Sequence, residues 1–388
     1  MDYTEYQANA DWQADEAIDD MHVFLAMQPT GPTAQPPAQG QPTGPTAQPP
    51  ARRQTQTEAG RRTIDVNGYA FPNISDDVLG NTLPNLTFLS IFSYQVKPDG
   101  TLTPIDDTEL IQKARAQGVA PMMVITNIGE DGFSSDIAHE VLTDTQVQQT
   151  LLNNVVNTLK AKNYYGLDID FEYVYPDDRE AYNRFLETVV ARLRPLGYSI
   201  VSALAPKTSA DQKGLLYEAH DYAVHGRLLD HVILMTYEWG YTYGPPMAVA
   251  PIDQVKRVLD FAVTVIPNEK ILMGMPNYGY DWTLPYRQGT AARSLSFAQA
   301  RELAEREGAA IEFDETAQAP YFHYTDDDGV EHVVWFDNEA SIRARLGLVE
   351  EYDLGGVSYW TINRYSPESF AVLNEMYEVN KLLTPAGR

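Results

Sequence analysis

The sequence predicts an α/β fold: a (β/α)8 TIM barrel with a small α+β insertion after the seventh strand. Three observations lead there. After about residue 62, eight short β-rich runs alternate with amphipathic stretches. Several of these runs are almost continuously apolar, as strands buried on both faces of a parallel sheet must be. The one connection too long for a loop, residues 283–337, carries element patterns of its own.

The runs are Ile64–Ala70, Leu86–Tyr94, Val119–Thr126, Tyr165–Tyr173, Ser199–Ala205, His231–Tyr237, Lys270–Met275 and Gly355–Trp360. Helical spacing is clear between them. Apolar residues fall at 151, 152, 155, 156 and 159 in one stretch and at 182, 185, 186, 189, 190 and 193 in another, both with the 3.6-residue period. The insertion reads as a helix, Phe297–Gly308, and a hairpin in which Tyr321–Tyr324 and Val333–Phe336 flank Asp326-Asp327-Asp328-Gly329. A doubly wound open sheet is the alternative. It is disfavoured because no Gly-rich phosphate loop follows the first strand.

The first 61 residues have another texture. The string QPTGPTAQPPA occupies residues 28–38 and recurs unchanged at 41–51. Such a composition cannot bury an apolar face, so residues 28–61 are expected to form an extended, Pro-rich linker. Residues 1–27 are acidic, with Trp12 and a short apolar run, Met21 to Met27. Disorder is the expectation for this segment, with docking to another protein as the alternative.

Composition excludes several classes. With 28 Lys+Arg against 54 Asp+Glu, the net charge is −26. Nucleic acid and anionic membrane surfaces repel such a chain. No stretch reaches the roughly 18 apolar residues of a membrane span. Zero cysteines exclude thiolate nucleophiles and Cys-based metal sites. The seven histidines (22, 139, 220, 225, 231, 323 and 332) show no metal-ligand spacing, and no metal or cofactor is expected. The first twenty residues hold seven acids and no Lys or Arg, unlike the start of a secretory signal. Synthesis in the cytoplasm without such a signal is therefore the expectation.

The chemical centre is Tyr165-Gly-Leu-Asp168-Ile-Asp170-Phe-Glu172-Tyr173 on the fourth strand. Alternation puts Asp168, Asp170 and Glu172 on one face and Leu167, Ile169 and Phe171 on the other. In a barrel, the apolar set packs outward on helices. The acids point inward and climb toward the mouth, where active sites of such barrels sit. Three inward carboxylates at intervals of about 6–7 Å cannot all ionise in a low-dielectric interior. At least one should keep its proton near neutral pH, as a general acid must. A solvated acidic strand or a calcium site is the blander reading.

This segment resembles the DGxDxDxE signature of glycoside hydrolase family 18, the chitinase-like retaining glycosidases, with Tyr165 at the first Asp position. Met235-Thr236-Tyr237 is similar to the family's sixth-strand motif, which usually continues with Asp; here Glu238-Trp239-Gly240 follows. Gly356-Val-Ser-Tyr-Trp360 resembles the eighth-strand end, and Met275-Pro-Asn-Tyr-Gly-Tyr-Asp-Trp282 the seventh-strand segment. Thr126-Asn127-Ile128-Gly129 stands where the family has SxGG. These departures resemble the branch of bacterial spore cortex-lytic N-acetylglucosaminidases.

The resemblance implies roles for particular residues. Glu172 protonates the glycosidic oxygen and the substrate's own acetamido oxygen attacks the anomeric carbon. Asp170 orients the acetamide and Asp168 tunes Asp170. Tyr237 donates a hydrogen bond to the acetamide carbonyl, and Trp360 floors the −1 sugar. Asn127, Glu238, Trp239, Tyr278, Tyr280 and Trp282 sit at or just after strand ends and are expected to face the mouth as substrate-binding residues. The implied substrate is peptidoglycan, most of all spore cortex or its fragments, and the implied location is the spore or cell wall. A chitin-oligosaccharide hydrolase and a non-catalytic carbohydrate-binding protein are the competing readings.

Overall fold

Seven parallel strands run round most of a barrel before the chain leaves it. In the computed structural model, which describes residues 60–384, they are β1 (Arg62–Ala70), β2 (Phe88–Gln95), β3 (Ala120–Thr126), β4 (Gly166–Asp170), β5 (Ser199–Leu204), β6 (His231–Leu234) and β7 (Ile271–Pro276). Five antiparallel strands follow: β8 (Gly279–Thr283), β9 (Arg293–Leu295), β10 (Glu312–Asp314), β11 (Ala319–Thr325) and β12 (Glu331–Trp335). Their sheet has the order β9-β8-β12-β11-β10. The chain then returns as β13 (Gly356–Trp360), which pairs in parallel with β7 on one side and β1 on the other. That seam closes an eight-stranded (β/α)8 barrel. A last short strand, β14 (Tyr377–Val379), adds to the start of β1.

Side-chain alternation sorts the barrel into two cores. Leu167, Ile169 and Phe171 of β4 face outward and pack with helix residues such as Leu186 and Phe185. Phe171 stacks on Phe185 at 5.9 Å between ring centroids. A second cluster fills the barrel's interior, with Phe88, Met122, Val124, Val201, Ile233 and Leu272 among its members. Helix Thr145–Lys162 shows how the outer layer is specified. The Asp144 carboxylate accepts from the backbone N–H of Gln146 and Val147, at 2.7 and 3.1 Å, and so starts the helix. The buried stripe is Leu151, Leu152, Val155, Val156 and Leu159, and Asn163 ends the helix in the left-handed region with φ 60°.

The five-stranded sheet begins at Gly279, four residues before the boundary the sequence suggested. The aromatic run of β8 follows β7 almost directly, so it reads as a continuation of the barrel strand. Helix Phe297–Arg306 starts from a Ser296 capping box. In the β11–β12 turn, Asp326 Oδ1 accepts from the N–H groups of Asp328 and Val330, and Gly329 takes φ 78°. The acidic segment 1–27 and nearly all of the Pro-rich segment 28–61 lie outside the described residues.

The closing seam tolerates no side chain at Gly356. A Cβ there would lie 1.8 Å from the main-chain oxygen of Asp65 on β1. Gly356→Ala is expected to destabilise the barrel by at least about 2 kcal/mol. Gly347→Ala, in helix Glu339–Glu351 with open space around it, is expected to stabilise by up to about 1 kcal/mol. Urea unfolding of both variants checks the pair.

Candidate active site

The site is built outward from β4. Asp168 is fully buried and Asp170 is 4 % exposed. Asp168 Oδ2 accepts hydrogen bonds from the Tyr69 hydroxyl at 2.7 Å and the Ser90 hydroxyl at 2.9 Å. Burial lifts the Asp168 carboxyl to about 6 even though both hydroxyls pull it down. Asp170 is raised well above the usual carboxyl range, by burial first and then by the charges of Glu172 and Asp168. Its Oδ1 and that of Asp168 have no partner within the protein.

Glu172 stands two residues beyond the last ladder pair of β4, Thr126↔Asp170. Asn127 takes over where the ladder stops. Its Oδ1 accepts from the Glu172 N–H at 2.9 Å and its Nδ2 donates to the Glu172 carbonyl at 2.8 Å. The Glu172 side chain is 7 % exposed. Burial, then the nearby charge of Glu238, pushes its carboxyl up to about 8. At neutral pH it carries a proton, the state a general acid requires.

Asp170, Glu172, Tyr237, Glu238 and Trp360 line one open pocket of about 420 Å³ with Tyr69, Phe92, Phe133, Ala203 and Met235. The Trp360 ring is held by the edges of Tyr69, Phe92 and Phe71, at centroid distances of 5.4, 4.9 and 5.9 Å. It presents an aromatic surface on the pocket wall. Two non-glycine residues beside the acids adopt left-handed backbone: Tyr173, with φ 53°, and Glu238, with φ 67°. Strained backbone of this kind concentrates at functional sites.

Glu238 faces Glu172 across the pocket. Its Oε1 accepts from the hydroxyls of Tyr278 and Tyr280, at 2.5 and 3.1 Å. Burial raises Glu238 to about 7 against the pull of those two hydrogen bonds. Trp282 Nε1 donates to the Gly244 carbonyl at 2.9 Å. Alternation explains the set. Residues 278, 280 and 282 share one face of the β8 segment, and that face grips the loop after β6.

The sequence expectation for the rim is corrected here. Tyr278, Tyr280 and Trp282 do not face the mouth. Each is at most 1 % exposed and is hydrogen-bonded to the loop after β6, at Glu238 or Gly244. Asn127 is fully buried and bonds Glu172's main chain. Trp239 is absent from the pocket lining and packs on the outer core. Only Glu238 of that group reaches the pocket, where Tyr237 and Trp360 also stand. Tyr69, Ser90, Phe92 and Phe133 were not singled out by sequence. Ser90 is one of three Ser/Thr hydroxyls in its run, with Thr87 and Ser93, and no local pattern set it apart.

A (β/α)8 barrel with an inward DxDxE strand and a tryptophan on the pocket wall suits a glycosidase. Residues 60–364 match the family model for glycosyl hydrolases family 18, and the chain belongs to that family. Among curated proteins it is 42% identical to the cortical fragment-lytic enzyme of Bacillus subtilis (strain 168) over 330 residues, covering 83% of this chain and 77% of that one. Among solved structures it is similar to the Bacillus cereus spore cortex-lytic enzyme SleL, with TM-score 0.82 and 40% identity over 84% of this chain and 77% of that one. A chitinase from Chromobacterium violaceum shares 25% identity with TM-score 0.75, over 81% of this chain and 99% of that one.

The raised acid has a consequence for stability. Glu172 binds its proton more tightly folded than unfolded, since its carboxyl moves from the ordinary 4.5 to about 8. The native state therefore loses stability as pH rises through that window. Glu172→Gln removes the penalty. Its melting temperature should exceed that of the wild type by more at about pH 8 than at about pH 5. An equal difference at the two pH values would mean that Glu172 titrates as an ordinary carboxyl.

Proposed function

We propose that this glycosidase is a retaining, substrate-assisted N-acetylglucosaminidase that cleaves β-1,4 bonds after N-acetylglucosamine in spore-cortex peptidoglycan or its fragments. The observation that carries the reading is the buried column Asp168–Asp170–Glu172, whose upper two carboxyls line a pocket together with Tyr237 and Trp360. Relatives named for cortical fragment lysis support the substrate class.

In this mechanism the −1 sugar stacks on Trp360. Glu172 gives its proton to the glycosidic oxygen as the bond to the anomeric carbon breaks. The substrate's acetamido oxygen attacks that carbon and closes an oxazolinium ring. Asp170 orients the acetamide N–H and balances the developing positive charge, and Tyr237 holds the acetamide oxygen in line. Asp168, fixed by Tyr69 and Ser90, sets the proton affinity of Asp170. Water then opens the ring at the anomeric carbon with retention and returns a proton to Glu172. The chain acts at the spore or cell wall.

Two substrates separate this reading from chitin hydrolysis, which the likeness to a chitinase favours. Purified spore cortex and chitin hexamer are digested with wild type and Glu172→Gln, and the products are read by mass spectrometry. Cortex fragments ending in reducing N-acetylglucosamine are expected from the wild type alone, with turnover by the variant lower by about 10²–10⁴-fold. Products from chitin alone would move the enzyme to the chitinase side. Equal, negligible products from both proteins would leave a carbohydrate-binding role.

De-N-acetylated glycan has no internal nucleophile. It should bind the wild type but not turn over, a result that inhibition and product assays read together.

A further inference from the structure

The main chain that carries Glu172 has lost its sheet partners. On the β5 side, β4 pairs only as far as Ile169↔Ser202. On the β3 side, it pairs as far as Thr126↔Asp170. Beyond that point the Phe171 carbonyl and both main-chain groups of Glu172 are buried polar groups without a ladder. Left unpaired, such buried groups destabilise the fold, and the segment would have nothing to fix its position.

Asn127 pairs both main-chain groups of Glu172 from the β3 side. On the β5 side the partner is His220. The Ala205 N–H donates to His220 Nδ1 at 2.9 Å, so Nδ1 carries no proton. The proton therefore sits on Nε2, which donates to the Phe171 carbonyl at 2.9 Å. The imidazole thus bridges the end of β5 and the end of β4, in the place of a missing ladder rung.

The ring itself is fixed. His220 is 1 % exposed, and the buried ammonium of Lys207 donates to its main-chain carbonyl at 2.9 Å. Burial holds the imidazole down to about 4, with the Lys207 charge acting in the same direction. The neutral tautomer needed for both bonds therefore persists at neutral pH.

We propose that His220 and Asn127 are positioning residues that splint the Phe171–Glu172 backbone between β5 and β3, and so hold the general acid at its working distance from the glycosidic oxygen. This rests on the assignment of Glu172 as proton donor. A side chain one residue from the splint is sensitive to small displacements, and a shift of about 1 Å costs roughly 100-fold in rate. Substrate binding by Trp360 and Tyr237, on other strands, does not depend on the splint.

The test compares steady-state kinetics of His220→Ala, His220→Asn, His220→Gln and His225→Ala on soluble cortex fragments, each corrected for folded fraction. His225 is equally buried and bonds Ser202, but makes no bond to the β4 backbone. His220→Ala is expected to lower kcat by about 100-fold with KM within about twofold of wild type. His225→Ala should keep its kcat. Gln can both accept and donate at the ring's positions and should recover most of the loss. Asn can reach only the Ala205 N–H and should not.

Should His220→Ala fail to fold, the Asn and Gln variants decide the matter alone. Gln as impaired as Asn, Asn as active as wild type, or equal kcat losses in His220→Ala and His225→Ala would each overturn the splint. A Glu172→Gln enzyme as active as wild type would instead overturn the assignment of the acid, and is run in parallel for that purpose.

Discussion

Three carboxylates share one face of a single strand, and none of the side chains lining the pocket is Lys or Arg. An unpaired buried ion costs several kcal/mol, and burial raises the proton affinity of all three groups. The environment is graded along β4. At the bottom, Asp168 has two hydroxyl donors and rises only to about 6. Further up, burial raises Asp170 and Glu172 with carboxylate neighbours adding to it, and Glu172 reaches about 8. The same functional group thereby occurs in different electrostatic surroundings, which in the proposed mechanism divides acid and charge-balancing roles among similar side chains.

Presenting the last of these acids requires the strand to leave the sheet. The β4 ladder stops at Asp170, and Tyr173 turns into the left-handed region directly after Glu172. Side chains from neighbouring loops replace the lost rungs. Glu238 meets the same problem on the opposite wall, with its own left-handed backbone, and there the insertion supplies the support. Tyr278, Tyr280 and Trp282 hold the loop from Glu238 to Gly244, and Tyr286 adds a hydrogen bond to the Tyr243 carbonyl at 2.6 Å. The insertion is therefore part of the pocket wall's foundation as well as a neighbour of the mouth.

What sequence could reveal follows from the range of each interaction. Alternation is local, so the inward face of Asp168, Asp170 and Glu172 and the outward face of Leu167, Ile169 and Phe171 were legible. The eight strands were legible for the same reason, with ends displaced by a few residues. Partners brought together by closure were not. Tyr69 lies 99 residues from Asp168 and Ser90 lies 78, and no local pattern links them. The aromatic residues after β7 were assigned to the rim because strand ends face the mouth in a barrel. Their partners lie in the loop after β6, at Glu238 and Gly244, about forty residues earlier. His220 was hidden for a related reason. Its importance lies in main-chain groups of Ala205 and Phe171, which have no sequence signature.

The electrostatics also bear on why the nucleophile should come from the substrate. A carboxylate nucleophile must be ionised at the working pH, and this pocket opposes ionisation at every acid it holds. An amide oxygen needs no ionisation to attack. When it does, the new ring carries a positive charge, and the surplus of acidic groups turns from a penalty into a complement. Asp170 gains a cationic partner that the empty pocket lacks, and Glu172, having given up its proton, faces that charge as a carboxylate. Stabilisation of this kind is present in the transition state and absent in the resting enzyme, which is the condition for accelerating the chemical step. In the proposed mechanism, the crowding of carboxylates that is costly for the fold would favour a neutral nucleophile built into the sugar.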